Sequence, residues 1–344
     1  MKKFIVHHRS PHHAQYSGYG RLLDYLEQPV LIPSGSSLMP YPVAKWLSKR
    51  CQPGYGTYDS NSVLKEWQLF WTLVSSLGTS RMVHYLNGER DIRYVKQLAQ
   101  TVFQVPVVAT FHKPPLVLEQ TLPHFSFLKG MAGAIAVGPN QVDFLKNRLE
   151  TDAVSFIPHG IDTTFFSPAS DVEPDACHLL FVGQHLRDFE ALAYVVPRLA
   201  QQLPHLQVTV VLRSEFARFV PVHSCIRVLS GVSDVDLLHL YRRATALFLP
   251  LKDSTACNSI LEAIACGLPT LTTDVGGVRG YLDETTSVLV PPNAYDDLYE
   301  ATLSYLQNPD LQMQLRRALR TSVSQFSWEQ VAAEVSRFYS QFEV

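Results

Sequence analysis

The chain has 344 residues, 46% hydrophobic and 17% charged, with a formal net charge of −2. That is enough apolar material for two buried cores of about 150–170 residues each, and it excludes an unfolded, charge-rich chain. Scattered Lys and Arg with no basic excess argue against nucleic acid as a partner. The five cysteines, Cys51, Cys177, Cys225, Cys257 and Cys266, are far apart and form no CxxC pair. They match neither a disulfide framework nor a zinc site, and they fit a reducing compartment.

The opening Met1-Lys2-Lys3-Phe4-Ile5-Val6 is too short an apolar run for a signal peptide and reads as a first strand. No apolar run approaches the roughly 20 residues of a membrane span, so a cytoplasmic location is expected. Short β-branched runs then alternate with longer helical patterns, the sequence form of repeated βαβ units. In the first half, strands are expected over residues 3–7, 30–33, 82–86, 105–110, 134–137 and 153–157, with helices such as 63–77 and 140–148 between them. Pro and Gly then cluster through Pro158-His159-Gly160 and Pro168 to Pro174, marking a linker near residues 165–175. The pattern restarts with strands over 178–182, 206–212, 226–229, 246–249, 270–272 and 287–290. The fold class expected is α/β, with two doubly wound Rossmann-like domains facing across a cleft, whose ligands sit outside the strand ends.

The most informative stretch runs from Ala246 to Pro269: a strand, a loop of small residues, a helix, then Gly267 and Pro269 as stop signals. Ile260, Leu261, Ile264 and Ala265 form one apolar stripe, while Asn258 and Glu262, four apart, share the other face. Free amides at such a helix start suit a diphosphate, and a carboxylate one turn further in suits a ribose diol. Glu262 has a second reading, as an acid complementing the helix dipole on a solvated face. The following strand runs into Asp274-Val275-Gly276-Gly277, where paired glycines admit unusual backbone geometry and close approach of a ligand.

Ser254 to Gly277 resembles the signature of the group 1 (family 4) retaining glycosyltransferases, which have the GT-B fold. Family members read Glu, seven residues, Glu-Ala-Met-Ala-Cys-Gly-x-Pro-Val-Val, then Asp-x-Gly-Gly. This chain has Glu262-Ala263-Ile264-Ala265-Cys266-Gly267-Leu268-Pro269 and Asp274-Val275-Gly276-Gly277. Pro158-His159-Gly160-Ile161-Asp162, Phe181-Val182-Gly183 and Ser327-Trp328-Glu329 also match. The likeness is strong from about residue 153 onward and looser before it.

The resemblance implies a metal-independent, retaining transfer of a hexose-type sugar from a nucleotide diphosphate sugar, without a cofactor. The acceptor would be a sugar, a lipid-linked molecule or another small molecule. It implies an acceptor-side domain over 1–165, a donor-side domain over 166–325, and a C-terminal helix over 326–344 packing back on the first domain. Glu262 would hold the ribose hydroxyls, and the amides near Asn258 and Ser259 the phosphates. His112, in Thr110-Phe111-His112, would lie near the transferred sugar. Gly18 is the match to the family's glycine-rich loop after the first strand. His12 and His13 before it are either acceptor contacts or solvated side chains.

Three departures stand out, one being that the family's N-terminal glycine pair is only partly present around Gly18. The first Glu of the seven-spaced pair falls on Ser254, with Asp253 one place earlier as a substitute contact to the donor sugar. The family's Arg and Lys pair after Gly183 is reduced to Arg187 as the one fixed cation, with His185, Lys252 or Arg213 as helpers. Arg187 would stabilise charge on the leaving diphosphate, or alternatively pair with Asp188 or Glu190 at a helix start. These departures keep open a non-catalytic nucleotide-sugar-binding protein of the same fold. Ala44 to Arg50, with Lys45, Trp46, Lys49 and Arg50, is read either as a peripheral contact to an anionic membrane or as a solvated helix face.

Overall fold

A computed structural model describes residues 1–7, 16–32, 46, 60–92, 95–122, 125–169 and 172–343. The described residues divide into two compact units. One holds 1–7, 19–159 and 331–343; the other holds 16–18 and 160–330.

The first unit contains β1 (Lys2–Val6), β2 (Pro29–Leu31), α1 (Ser60–Ser75), β3 (Arg81–Tyr85), the single turn α2 (Gly88–Asp91), α3 (Val95–Thr101) and β4 (Val107–Phe111). It continues with α4 (Pro115–Thr121), β5 (Gly133–Ala136), α5 (Val142–Leu149) and β6 (Val154–Phe156). Its strands form a parallel sheet in the order β2-β1-β3-β4-β5-β6. Every residue of β3, β4 and β5 is buried, as expected for parallel strands covered on both faces.

The second unit contains β7 (His178–Val182), α6 (Phe189–Gln202), β8 (Gln207–Val211), β9 (Ile226–Leu229), α7 (Asp234–Arg243) and β10 (Ala246–Leu249). It continues with α8 (Asn258–Ala265), β11 (Thr270–Thr273), β12 (Ser287–Val290), α9 (Tyr295–Leu306), α10 (Pro309–Ser322) and the start of α11 (Trp328–Ser340). The strand order β12-β11-β10-β7-β8-β9 is again all parallel. It reverses between β7 and β10, and ligands of doubly wound sheets bind at such a reversal.

The expected α/β class and the twelve expected strands are present, each within two residues of its expected ends. The division between units falls at Gly160, ahead of the Pro-rich stretch. There the Ile161 amide donates to the Phe326 carbonyl at 2.9 Å, and Ile161 bridges Ser327, so the chain is already folding with the second unit. Among the described residues no helix is long and apolar enough to cross a membrane.

Candidate functional site

The second unit's site grows from its switch point. Leaving β7, the chain turns at Gly183, whose φ is +86°. A β-carbon there would stand 2.9 Å from Arg187 Nη2, so the glycine lets the guanidinium lie across the turn. Arg187 forms an antiparallel bridge with Leu251, just after β10. Its Nε donates to the Val182 carbonyl at 2.9 Å and its Nη1 to the His185 carbonyl at 3.0 Å. Nη2 reaches Ser259 Oγ at 3.2 Å and Cys257 Sγ at 3.4 Å.

Arg187 is therefore anchored at the start of α8 and not in the alternative helix-start ion pair. Asp188 instead caps α6, accepting from the Glu190 and Ala191 amides and from the Tyr295 hydroxyl. Glu190 faces Lys252 at 3.7 Å, and Arg213 lies 3.4 Å from Glu215. Two of the cations expected to assist Arg187 thus have carboxylate partners of their own.

The N-cap of α8 is Cys257, which offers no side-chain acceptor to the first turn. Asn258 and Ser259 open the helix, with the guanidinium beside them. Uncapped amides, the positive end of a helix dipole and a fixed cation together make an anion seat.

The alternative reading of Glu262, on a solvated helix face, does not fit the surroundings of α8. Ser259 to Ala265 are all buried, and Glu262 is only 4% exposed. The face opposite the apolar stripe is closed by Tyr241 of α7, whose hydroxyl donates to Glu262 Oε2 at 2.7 Å. Burial pushes the Glu262 carboxyl up to about 7. The hydrogen bond from Tyr241, the nearby Ser17 hydroxyl and the charge of Arg187 pull the other way. A buried, hydrogen-bonded carboxyl is not a solvated dipole complement, so that reading of Glu262 falls.

Ser254 is buried in the loop before α8, its hydroxyl donating to the Thr255 carbonyl at 3.3 Å. Its amide donates to Asp253 Oδ1 at 2.7 Å, and burial raises the Asp253 carboxyl against that bond. The expected close approach at the glycine pair is real, but the group that approaches is protein. Gly276, at φ +56°, lies where a β-carbon would come within 2.3 Å of the Ser254 carbonyl.

Gly18 sits in the segment 16–18, which belongs to the second unit although it follows β1 in sequence. Tyr16 stacks on Phe165 with centroids 3.6 Å apart and planes 1° apart, and Ser17 is buried beside Glu262. Thus Gly18, Ser254, Asn258, Ser259, Glu262 and Arg187 all fall in one unit. His12 and His13 lie outside the described residues, as does the 44–50 patch except for Trp46.

His112, at the carboxyl end of β4, belongs to the first unit. Its Nε2 donates to the Leu86 carbonyl at 2.7 Å, and its amide donates to Glu89 Oε1 at 3.0 Å. The Tyr19 ring meets it edge-on at 4.7 Å, and His159 stands 6.5 Å away. Beneath lies a buried polar line. Tyr19 Oη is 3.4 Å from Thr110 Oγ1, which is 2.9 Å from His84 Nε2, and His84 Nδ1 is 2.5 Å from Tyr339 Oη. Burial drives His84 down to about 3, aided by the charge of His112, and lifts Tyr19 to about 12. Sequence reasoning missed Tyr19, His84, Tyr241 and Tyr339. The available signal was a histidine inside the apolar run Met82-Val83-His84-Tyr85, where a lone polar group needs partners from elsewhere.

Residues 176–308 match the family model described as glycosyl transferases group 1. The matched segment, β7 to α9 of the second unit, is similar to that family. It is 22% identical over 210 residues to one subunit of human phosphatidylinositol N-acetylglucosaminyltransferase, covering 58% of this chain and 43% of that protein. It is 26% identical over 279 residues to a phosphatidyl-myo-inositol mannosyltransferase of Mycolicibacterium smegmatis, covering 73% and 71%. The chain spans about half the length of the first curated relatives it matches, 43% and 58% of them. Among solved structures, Anabaena Alr3699/HepE in complex with UDP and glucose superposes with a TM-score of 0.70 at 12% identity, over 99% of this chain and all of that one. That likeness shows the GT-B fold.

Proposed function

We propose that this chain is a retaining glycosyltransferase that moves a hexose-type sugar from a nucleotide diphosphate sugar to an acceptor. The observation that carries the reading is the start of α8. Uncapped amides and the Arg187 guanidinium converge there, one turn from the Glu262 carboxyl. Breaking the anomeric bond leaves extra negative charge on the diphosphate. A cation and helix amides already in place stabilise that charge without reorganising, and this is the main lever of such catalysis. In this scheme the amides of Asn258 and Ser259 bind phosphate, Arg187 takes up the leaving charge and Glu262 holds the ribose diol. His112, at the end of β4, is kept as the residue expected to serve the transferred sugar. Nothing in this scheme calls for a metal ion or cofactor.

The inositol-containing names of the relatives make a lipid-linked or cyclitol acceptor the first class to try, with peripheral contact to a membrane. The UDP in the Anabaena complex makes UDP the first base to try.

The test is thermal stabilisation by UDP, GDP, ADP and their sugars, in wild type and Glu262→Ala. A ligand at 100 times its Kd adds about 2.7 kcal/mol. One nucleotide family should raise the melting temperature of the wild type, with the shift lost in the variant. No shift with any of them sinks the donor site. The buried Ser254, in place of an acid, favours a second reading, a nucleotide-sugar-binding protein without turnover. Binding without release of nucleoside diphosphate, in the presence of candidate acceptors, would select it.

A further inference from the structure

Tyr241 occupies the inner side of α7, is fully buried, and packs edge-on to Phe166 at 6.1 Å. A buried phenol needs a partner for its hydroxyl, and here the partner is the one carboxylate of α8. The same hydroxyl is also influenced by Ser259, whose Oγ accepts from Arg187 Nη2 at 3.2 Å. One helix, α8, therefore carries both Ser259, bonded to Arg187, and Glu262, bonded to Tyr241. It joins the residues assigned above to the diphosphate with the one assigned to the ribose.

We propose that Tyr241 is a positioning residue of the donor site, which through its 2.7 Å hydrogen bond holds the Glu262 carboxylate in the orientation that accepts a ribose diol. This rests on the donor-site reading above. A diol presents two hydroxyls at fixed spacing, and a carboxylate free to rotate about its side-chain bonds would lose entropy in meeting both. With one oxygen pinned from α7, that cost is met in folding and not in binding.

The bond also bears on charge. The groups facing Glu262 are Tyr241 and Asp234 from α7, Arg187 from the loop after β7, Ser17 from the segment 16–18 and Cys266 at the end of its own helix. Burial and Asp234 favour the neutral acid; Tyr241, Ser17 and Arg187 favour the carboxylate, leaving it poised at about 7. Removing the phenol hydroxyl takes away one of the few supports of the ionised form, so the Glu262 pKa must rise. A Tyr241 that merely filled the core would leave the pH dependence of nucleotide binding where it was.

The experiment is calorimetric titration from pH 6 to 8.5 with whichever of UDP, GDP or ADP stabilises the wild type. It compares wild type, Tyr241→Phe, Glu262→Gln and the double variant. Glu262→Gln supplies the baseline for titration of the nucleotide's own phosphate. Wild-type affinity should rise with pH through about 7, beyond that baseline. Tyr241→Phe should move the midpoint up by about one pH unit and weaken binding at pH 7 about fivefold. In the Gln background, Tyr241→Phe should leave the pH profile unchanged. A Tyr241→Phe midpoint equal to that of wild type overturns the proposal and leaves the donor site standing. Failure of every nucleotide to bind the wild type overturns the donor site itself. Should Tyr241→Phe not fold, a wild-type profile no steeper than that of Glu262→Gln is by itself sufficient to overturn the proposal.

Discussion

The two units share a six-stranded parallel sheet, yet each buries a different titratable group beside its candidate site. The first hides His84 in β3, bonded to Thr110 and Tyr339; the second hides Glu262 in α8, bonded to Tyr241. Burial penalises the charged form of either. It therefore pushes the base down, to about 3, and the acid up, to about 7. One physical cause has opposite consequences: acid destabilises the first unit through His84, and rising pH destabilises the second through Glu262. The difference also separates roles. His84 is held neutral by its surroundings at any physiological pH, whereas Glu262 sits where small changes in its surroundings decide its charge.

The larger shift belongs to His84. Above its unfolded pKa of 6.5 the imidazole is neutral in both states and adds no pH dependence. As pH falls below 6.5 the unfolded chain takes a proton that the folded one refuses until about 3, so stability is lost through that window. At pH 4 the loss is about 3 kcal/mol. Hydrogen exchange should show the first unit opening at pH 4 while the second holds, and His84→Gln, which cannot titrate, should flatten that response. Equal loss of protection in both units at pH 4 breaks the comparison.

Glu262 works the other way. Below 4.5 the carboxyl is neutral in both states. Between 4.5 and about 7 the unfolded chain has released the proton while the folded one keeps it, so stability falls as pH rises through this window. Glu262→Gln should raise the stability of the ligand-free protein by about 3 kcal/mol at pH 8, with little gain at pH 4.5. The same change should weaken nucleotide binding, a stability cost kept for function. Thermal melts at the two pH values are the check. A gain of equal size at both would show that packing, and not ionisation, is responsible.

What the sequence revealed follows the same divide. Strands such as 178–182 and 246–249 were legible because fully buried parallel strands read as unbroken apolar runs. The α8 segment was legible because its small-residue loop, helix and Gly267 stop are contiguous. Arg187 was legible as a lone cation, but not its anchor on Ser259, 72 residues on. Tyr241 lies 21 residues before Glu262, and Tyr339 lies 255 after His84. Such partners are brought together by sheet order and helix docking, which no local period records. The alternative of a solvated face for Glu262 fell for that reason: a helical wheel shows which side chains share a face, not what another element lays over it.

The smallest effect concerns helix starts within the second unit. Asp188, Ser233 and Asn308 each offer a side-chain oxygen to the first amides of α6, α7 and α10, while Cys257 offers none to α8. Capping of this kind contributes about 1 kcal/mol. If the α8 amides are kept for phosphate, Cys257→Ser, nearly the same size, should stabilise the ligand-free protein by about 0.5–1 kcal/mol. The new hydroxyl would then compete with the nucleotide for those amides and weaken its binding on the order of threefold. Melting curves and nucleotide titrations at pH 7 read both numbers. A Cys257→Ser variant whose hydroxyl stabilises the helix without touching nucleotide affinity would move the diphosphate away from the α8 start and leave Arg187 to hold it alone.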